Sequence, residues 1–202
     1  MISAAIHGVI LAFGLILPLG VQNIFVFNQG ATQPRWVYAL PVVLTAAICD
    51  TFLISFAVLG VSAIVFAIGW IKVTLLSVGI LFLIYMGYTT WKAKPNTEGN
   101  EAQVFTPGKQ IMFAASVSLL NPHAIMDTIG VIGTSSLSYT GSEKLVFTVV
   151  CILVSWMWFF GLSIVGRIVG RMDQSGRMLT ALNKISAIIM WGTAVYLISS
   201  IF

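Results

Sequence analysis

The chain has 202 residues, 58% of them hydrophobic and only 8% charged, against about 25% charged in an ordinary soluble domain. Ten Lys and Arg with six Asp and Glu cannot solvate a 21.8 kDa globule whose mean hydropathy is +1.00, so a water-soluble fold is excluded. The net charge of +4 sits in short loops between apolar runs, where it sets orientation in a membrane and does not point to nucleic acid.

Six apolar runs follow one another, at 2–27, 37–59, 71–91, 110–137, 145–166 and 179–202. Each is about 20 residues or longer, enough for a helix to cross a hydrocarbon core about 30 Å thick. Barrel strands need only about 10 residues and alternate in polarity, which these runs do not. The first run has no basic n-region and is too long for a signal-peptide core, so it is read as an uncleaved membrane helix. Between the second and third runs, residues 60–70 are read as a short interfacial helix. The clearest boundary is 92–109, a polar segment with Pro95, Gly99, Pro107 and three lysines.

That segment divides the chain into a first three-helix repeat (1–91), a cytoplasmic loop (92–109) and a second three-helix repeat (110–202). Sliding one half along the other by 104 residues puts Pro18 on Pro122 and Asn23 on Asp127. With an odd number of helices in each half, the second copy enters the membrane from the opposite side. The predicted fold class is thus all-α integral membrane, about six transmembrane helices as two inverted three-helix repeats. Orientation follows from the cations. Arg35, Lys92, Lys94, Lys109, Arg167, Arg171, Arg177 and Lys184 fall on one side, with only Lys72 and Lys144 on the other. The richer side is read as cytoplasmic and both termini as external.

Proline inside a membrane helix removes a backbone donor and clashes with the carbonyl four residues back. Pro18 and Pro122 therefore predict breaks in the first and fourth helices, helped by Gly20 and Asn121. Such breaks persist in hydrocarbon where protein or a water-filled cavity satisfies the freed groups, and paired breaks mark transport sites. Two acids lie inside apolar runs, Asp50 and Asp127. At about 1.5 Å per residue both fall about 20–26 Å from the cytoplasmic ends of their helices, so they share a depth. An intramembrane carboxylate is costly and usually marks an ion, proton or substrate pathway. No Lys or Arg lies at a helix centre to neutralise them, which leaves the countercharge to a proton or a cationic ligand. The residues do not distinguish lysine, arginine, a polyamine or a metal ion. His123, next to Pro122, is a candidate proton relay or partner of an acid, or simply a backbone hydrogen-bonding group.

No His, Cys or acid cluster has metal-site spacing, and no phosphate loop or nucleophile elbow is present, so neither metal nor cofactor is expected. Cys49 and Cys151 lie 102 residues apart, near the repeat offset, which keeps open a transmembrane thiol oxidoreductase. Against it, a buried free cysteine is ordinarily a small hydrophobe.

The segment Leu17-Pro18-Leu19-Gly20-Val21-Gln22-Asn23, then Asp50, then Leu120-Asn121-Pro122-His123-Ala124-Ile125-Met126-Asp127 resembles the LysE family of bacterial basic amino-acid exporters across the whole chain. Asn-Pro with an acid five residues on is similar to the lysine/arginine branch. The chain departs from the common pattern in having Gly20-Val21 before Gln22-Asn23, with the proline at 18. The resemblance implies a multi-pass protein of the bacterial inner or plasma membrane that exports lysine, arginine or similar compounds, driven by membrane potential or a proton gradient. It also implies a homodimer. Substrate-binding candidates are Asp50, Asp127, Asn23, Gln22, Asn121 and His123. The half-helices starting near Gln22 and His123 would bind the substrate carboxylate and the acids its cationic end. Export of another small cation or a neutral amino acid remains the alternative within the same architecture.

Overall fold

The computed structural model describes residues 1–17, 20–60, 105–119, 125, 128–172 and 177–199, with separate residues between 74 and 92. All regular structure among these residues is helical. The first apolar run is two helices, α1 (Ile2–Ile16) and α2 (Val21–Thr32), whose axes meet at 80°. Gly20 is the N-cap of α2, in extended backbone conformation; Pro18 lies outside the described residues. A 3-10 turn, Trp36–Ala39, leads into α3 (Leu40–Val58), where Pro41 occupies the first turn and its missing N–H would be unpaired anyway. Next come α4 (Pro107–Leu119), a π-turn (Thr128–Gly133) running into Thr134–Ser136, α5 (Gly141–Met172) and α6 (Arg177–Ser199).

Several helix limits differ from those read off hydropathy. The first run continues as helix to Thr32. The fifth helix reaches four residues before and six beyond its apolar run, because Glu143 in its first turn and Arg171 in its last suit the helix dipole and water solvates both ends. The fourth run begins at Pro107 and carries a π-turn, not a plain α-helix, in its second part. The described residues between 74 and 92 are helical, while 60 is a turn and 61–73 and 93–104 lie outside the description.

The helices Trp36–Val58 and Gly141–Met172 are each long and apolar enough to cross a membrane, and α1 with α2 passes the same test as a bent pair. The pair runs the length of α5. At one end the Met1 ammonium pairs with Glu143. At the other, the Arg167 guanidinium donates to the carbonyls of Gln33 (2.5 Å) and Pro34 (2.6 Å), just past α2. From Glu143 to Arg167 is 24 residues of helix, about 36 Å at about 1.5 Å per residue. The pair is accordingly a broken span, not a hairpin that returns to its own side.

Glycine lets α2 and α5 touch backbone to backbone. A Cβ on Gly30 would meet the Ser163 carbonyl group, one on Gly166 the Phe27 carbonyl, and one on Gly170 the Ala31 carbonyl. Small residues of this kind are what close helix approach in a membrane requires. The π-turn seats on α3 in a similar way, with a Cβ on Gly133 reaching the Ala57 oxygen at 3.1 Å.

Two apolar clusters fill the bundle. One gathers Phe25, Val26, Val42, Val43, Ala46, Ala114 and Phe159 towards the Arg167 end; the other gathers Ala4, Ile54, Val58, Ile132, Phe147 and Cys151 towards the Met1 end. Buried amides close the Arg167 end. Gln33 and Gln110 both donate to the Phe105 carbonyl, at 3.2 and 2.9 Å, and Gln110 also donates to that of Tyr38 at 2.9 Å. Thus α4 starts beside the start of α3, at the end of the bundle opposite to where α1 starts. Arg35, Lys109, Arg167 and Arg171 share this end, and Lys144 lies at the other.

Candidate functional site

The break between α1 and α2 frees backbone groups, and a side chain in the first turn of α2 repairs one of them. Asn23, 6% exposed, donates its amide to the Ile16 carbonyl at 2.8 Å. Its oxygen accepts from the Trp158 indole N–H at 3.3 Å. Asn23 therefore stitches the broken helix to itself and to α5. An unpaired carbonyl in hydrocarbon costs several kcal/mol, so this is a structural use of a residue proposed as a ligand.

Asp50 lies near the middle of α3, half-buried. Its Oδ2 accepts from the Ser155 hydroxyl at 2.7 Å and its Oδ1 from the Gln22 amide at 3.2 Å. One residue along, the Trp156 indole donates to the Thr51 hydroxyl at 3.0 Å. Both contacts join residues 105 apart, nearly the repeat offset, and together they fix where α3 crosses α5. Neutral donors surround the acid. Among the described residues no Lys, Arg or His pairs with it, and the one ion pair is Met1 with Glu143.

Gln22 belongs to the first turn of α2, so the same site contains the start of a helix with no side-chain cap and no acid in its first turn. The amides of such a turn lack helical acceptors and carry the positive end of the dipole. A carboxylate with no cationic partner among the described residues and an anion-favouring helix terminus stand within one hydrogen bond of each other. This arrangement suits a small ligand with charges of both signs.

Of the residues singled out from sequence, Gly20, Gln22, Asn23 and Asp50 come together here. Pro18, Asn121, Pro122, His123 and Asp127 lie outside the described residues. His7 is at the Met1 end, its Nδ1 2.8 Å from the Tyr139 hydroxyl, with its ring near Phe147. No group of three or more His, Cys, Asp and Glu gathers among the described residues to hold a metal. Ser155, Thr51, Trp156 and Trp158 went unremarked in the sequence. The available signal was two tryptophans in mid-run, since a buried indole N–H needs a partner that a membrane interface would otherwise supply.

The family model for LysE-type translocators matches residues 13–200. The chain belongs to the LysE family. It is also 56% identical over 200 residues to YisU of Bacillus subtilis (strain 168), described as a candidate amino-acid transporter, with 99% of this chain and 91% of that protein covered. Arginine exporter protein ArgO of Salmonella typhi is 32% identical over 195 residues, covering 95% of this chain and 91% of that one. No solved structure matches the chain. LysE-family proteins are transporters, not enzymes, which sets aside the thiol-oxidoreductase alternative. Cys49 and Cys151 are free and buried, and the Cys151 thiol lies 3.7 Å from the Gly8 carbonyl, at a helix contact and away from the break.

Proposed function

We propose that this LysE-family protein exports basic L-amino acids, of the lysine and arginine class, from the cytoplasm across the bacterial inner membrane. The observation that carries the reading is Asp50, held among the described residues by neutral donors and adjoining the start of α2, which has no side-chain cap. A cationic side chain supplies the charge that the acid lacks, and the substrate carboxylate suits the helix start. Asp127 is proposed as the second acid, with Asn121 and His123, on either side of Pro122 in the sequence, as further substrate-binding residues. The name of ArgO agrees in substrate class.

The architecture that goes with this reading is two inverted three-helix repeats, 1–91 and 110–202, joined by a cytoplasmic loop and assembled as a homodimer. Supporting it, α1 and α4 start at opposite ends of the bundle. Export is driven by the membrane potential or by proton exchange. In the second case protonation and cation binding compete for the same carboxylate, the least that antiport requires.

Proteoliposomes of both orientations, given labelled lysine, arginine, ornithine and a neutral amino acid, test the assignment. Uptake of the three cationic compounds well above the neutral one is expected; equal rates for all four would end the reading. Orientation is tested separately in a Cys49→Ser, Cys151→Ser background. Single cysteines replacing Asn100 and Ser142 should react with an impermeant thiol reagent from opposite faces, Asn100 from the cytoplasm. Labelling of both from outside would overturn the topology.

A further inference from the structure

The two hydrogen bonds to Asp50 are unequal in a way that assigns them different jobs. Ser155 is 3% exposed and sits near the middle of α5, locked in place by the neighbouring Trp156–Thr51 contact. Its 2.7 Å bond has the length expected of a hydroxyl on a carboxylate. Gln22 is half-buried, belongs to the shorter α2 beyond the helix break, and reaches Asp50 at 3.2 Å. That is the long end of the range for an amide N–H donor, about 2.7–3.2 Å.

We propose that the Gln22 amide is a built-in stand-in for the substrate's cationic group. It bonds to Oδ1 of Asp50 and is displaced on binding, while Ser155 is the positioning residue that keeps Asp50 in place throughout. The inference rests on the basic amino-acid reading above. An ammonium or guanidinium arriving at Asp50 meets one oxygen held firmly from the buried side and one held loosely from the half-buried side. It takes the second. Since Gln22 lies in the first turn of α2, its release also frees that turn from α3 at the moment the site fills. Binding is thereby linked to the half-helix, and a neutral amino acid whose carboxylate sits at the α2 start has no side-chain cation to exchange for the amide and leaves Gln22 where it is.

The two residues should then respond in opposite directions. With no internal competitor, Gln22→Leu should bind lysine and arginine about three- to tenfold more tightly, the size of one modest hydrogen bond. Its turnover should fall, because α2 no longer senses occupancy. Ser155→Ala should bind them more weakly and lose discrimination against a neutral amino acid, and Ser155→Thr, which keeps the hydroxyl, should restore both. Affinities are measured by calorimetry on purified protein in detergent, with Gln22→Met as a second variant of similar length should the leucine protein fold poorly. Weaker or unchanged binding in the Gln22 variants, alongside binding by the wild type, overturns the inference and leaves the function standing. Absence of any cationic amino-acid binding to the wild type removes both.

Discussion

Asp50→Asn is expected to remove transport of lysine and arginine while leaving the protein folded. Asparagine keeps an oxygen to accept the Ser155 hydroxyl now bonded at 2.7 Å, and Gln22 can turn its amide to meet the new N–H groups, so the α3–α5 crossing survives. What is lost is charge. Removing one member of a desolvated, hydrogen-bonded charge pair costs about 2–5 kcal/mol, or a factor of roughly 30 to a few thousand in affinity. Efflux from loaded proteoliposomes should fall on that scale for cationic substrates, and Asp50→Glu should keep part of it, since charge remains while reach changes. The variant also separates two roles. If Asp50 carries the proton instead of the substrate, exchange of labelled for unlabelled arginine persists while accumulation against a pH gradient disappears. Wild-type rates in both assays would mean that Asp50 serves only to hold α3 on α5.

Much of this site was legible because its members break a local rule. Gly20, Gln22, Asn23 and Asp50 are polar or flexible residues inside apolar runs, where each carries a cost that calls for a reason. The depth read from the sequence pairs Asp50 with Asp127, and the contact of Asp50 with Gln22 at the first break is not among its readings. Nor does sequence say which group faces which: Ser155 is one of several serines in the chain, and only the register of α3 against α5 puts its hydroxyl on Asp50. Asn23 likewise reads as a ligand from its neighbours, whereas the acceptor for its amide is the backbone of Ile16, to which sequence gives no clue. Hydropathy also reports contact with lipid and not helical conformation. It found α5 yet stopped short of Gly141 and Met172, because the polar ends of that helix extend beyond the apolar span. Arg167 shows the same limit. Counting cations assigns it a side of the membrane, but its guanidinium is spent on the carbonyls of Gln33 and Pro34, tying the end of α2 to α5.

The largest effect on stability is expected at Gly30 and Gly166, where α2 and α5 touch. A methyl group on Gly30 would lie 2.8 Å from both the carbonyl carbon and the Cα of Ser163, and one on Gly166 would lie 3.0 Å from the carbonyl carbon of Phe27. These neighbours are backbone, so no side chain can swing aside. The helices must separate, and α2 cannot move without disturbing the first turn that carries Gln22. Overpacking of a tight core costs about 1–3 kcal/mol and occasionally more. Helix propensity pulls the other way, since alanine in place of glycine favours a helix interior by about 1 kcal/mol. Gly161, on the same α5, provides the internal comparison, because nothing described lies within 4 Å of its would-be methyl. Thermal unfolding in detergent, followed by loss of the monodisperse peak, should therefore show Gly161→Ala at or slightly above wild type. Gly30→Ala and Gly166→Ala should unfold several degrees lower, and Gly30→Leu should fail to accumulate in the membrane. Equal melting temperatures for all three alanine variants would show that α2 and α5 do not make this backbone contact, and with it would go the placement of Gln22 against Asp50.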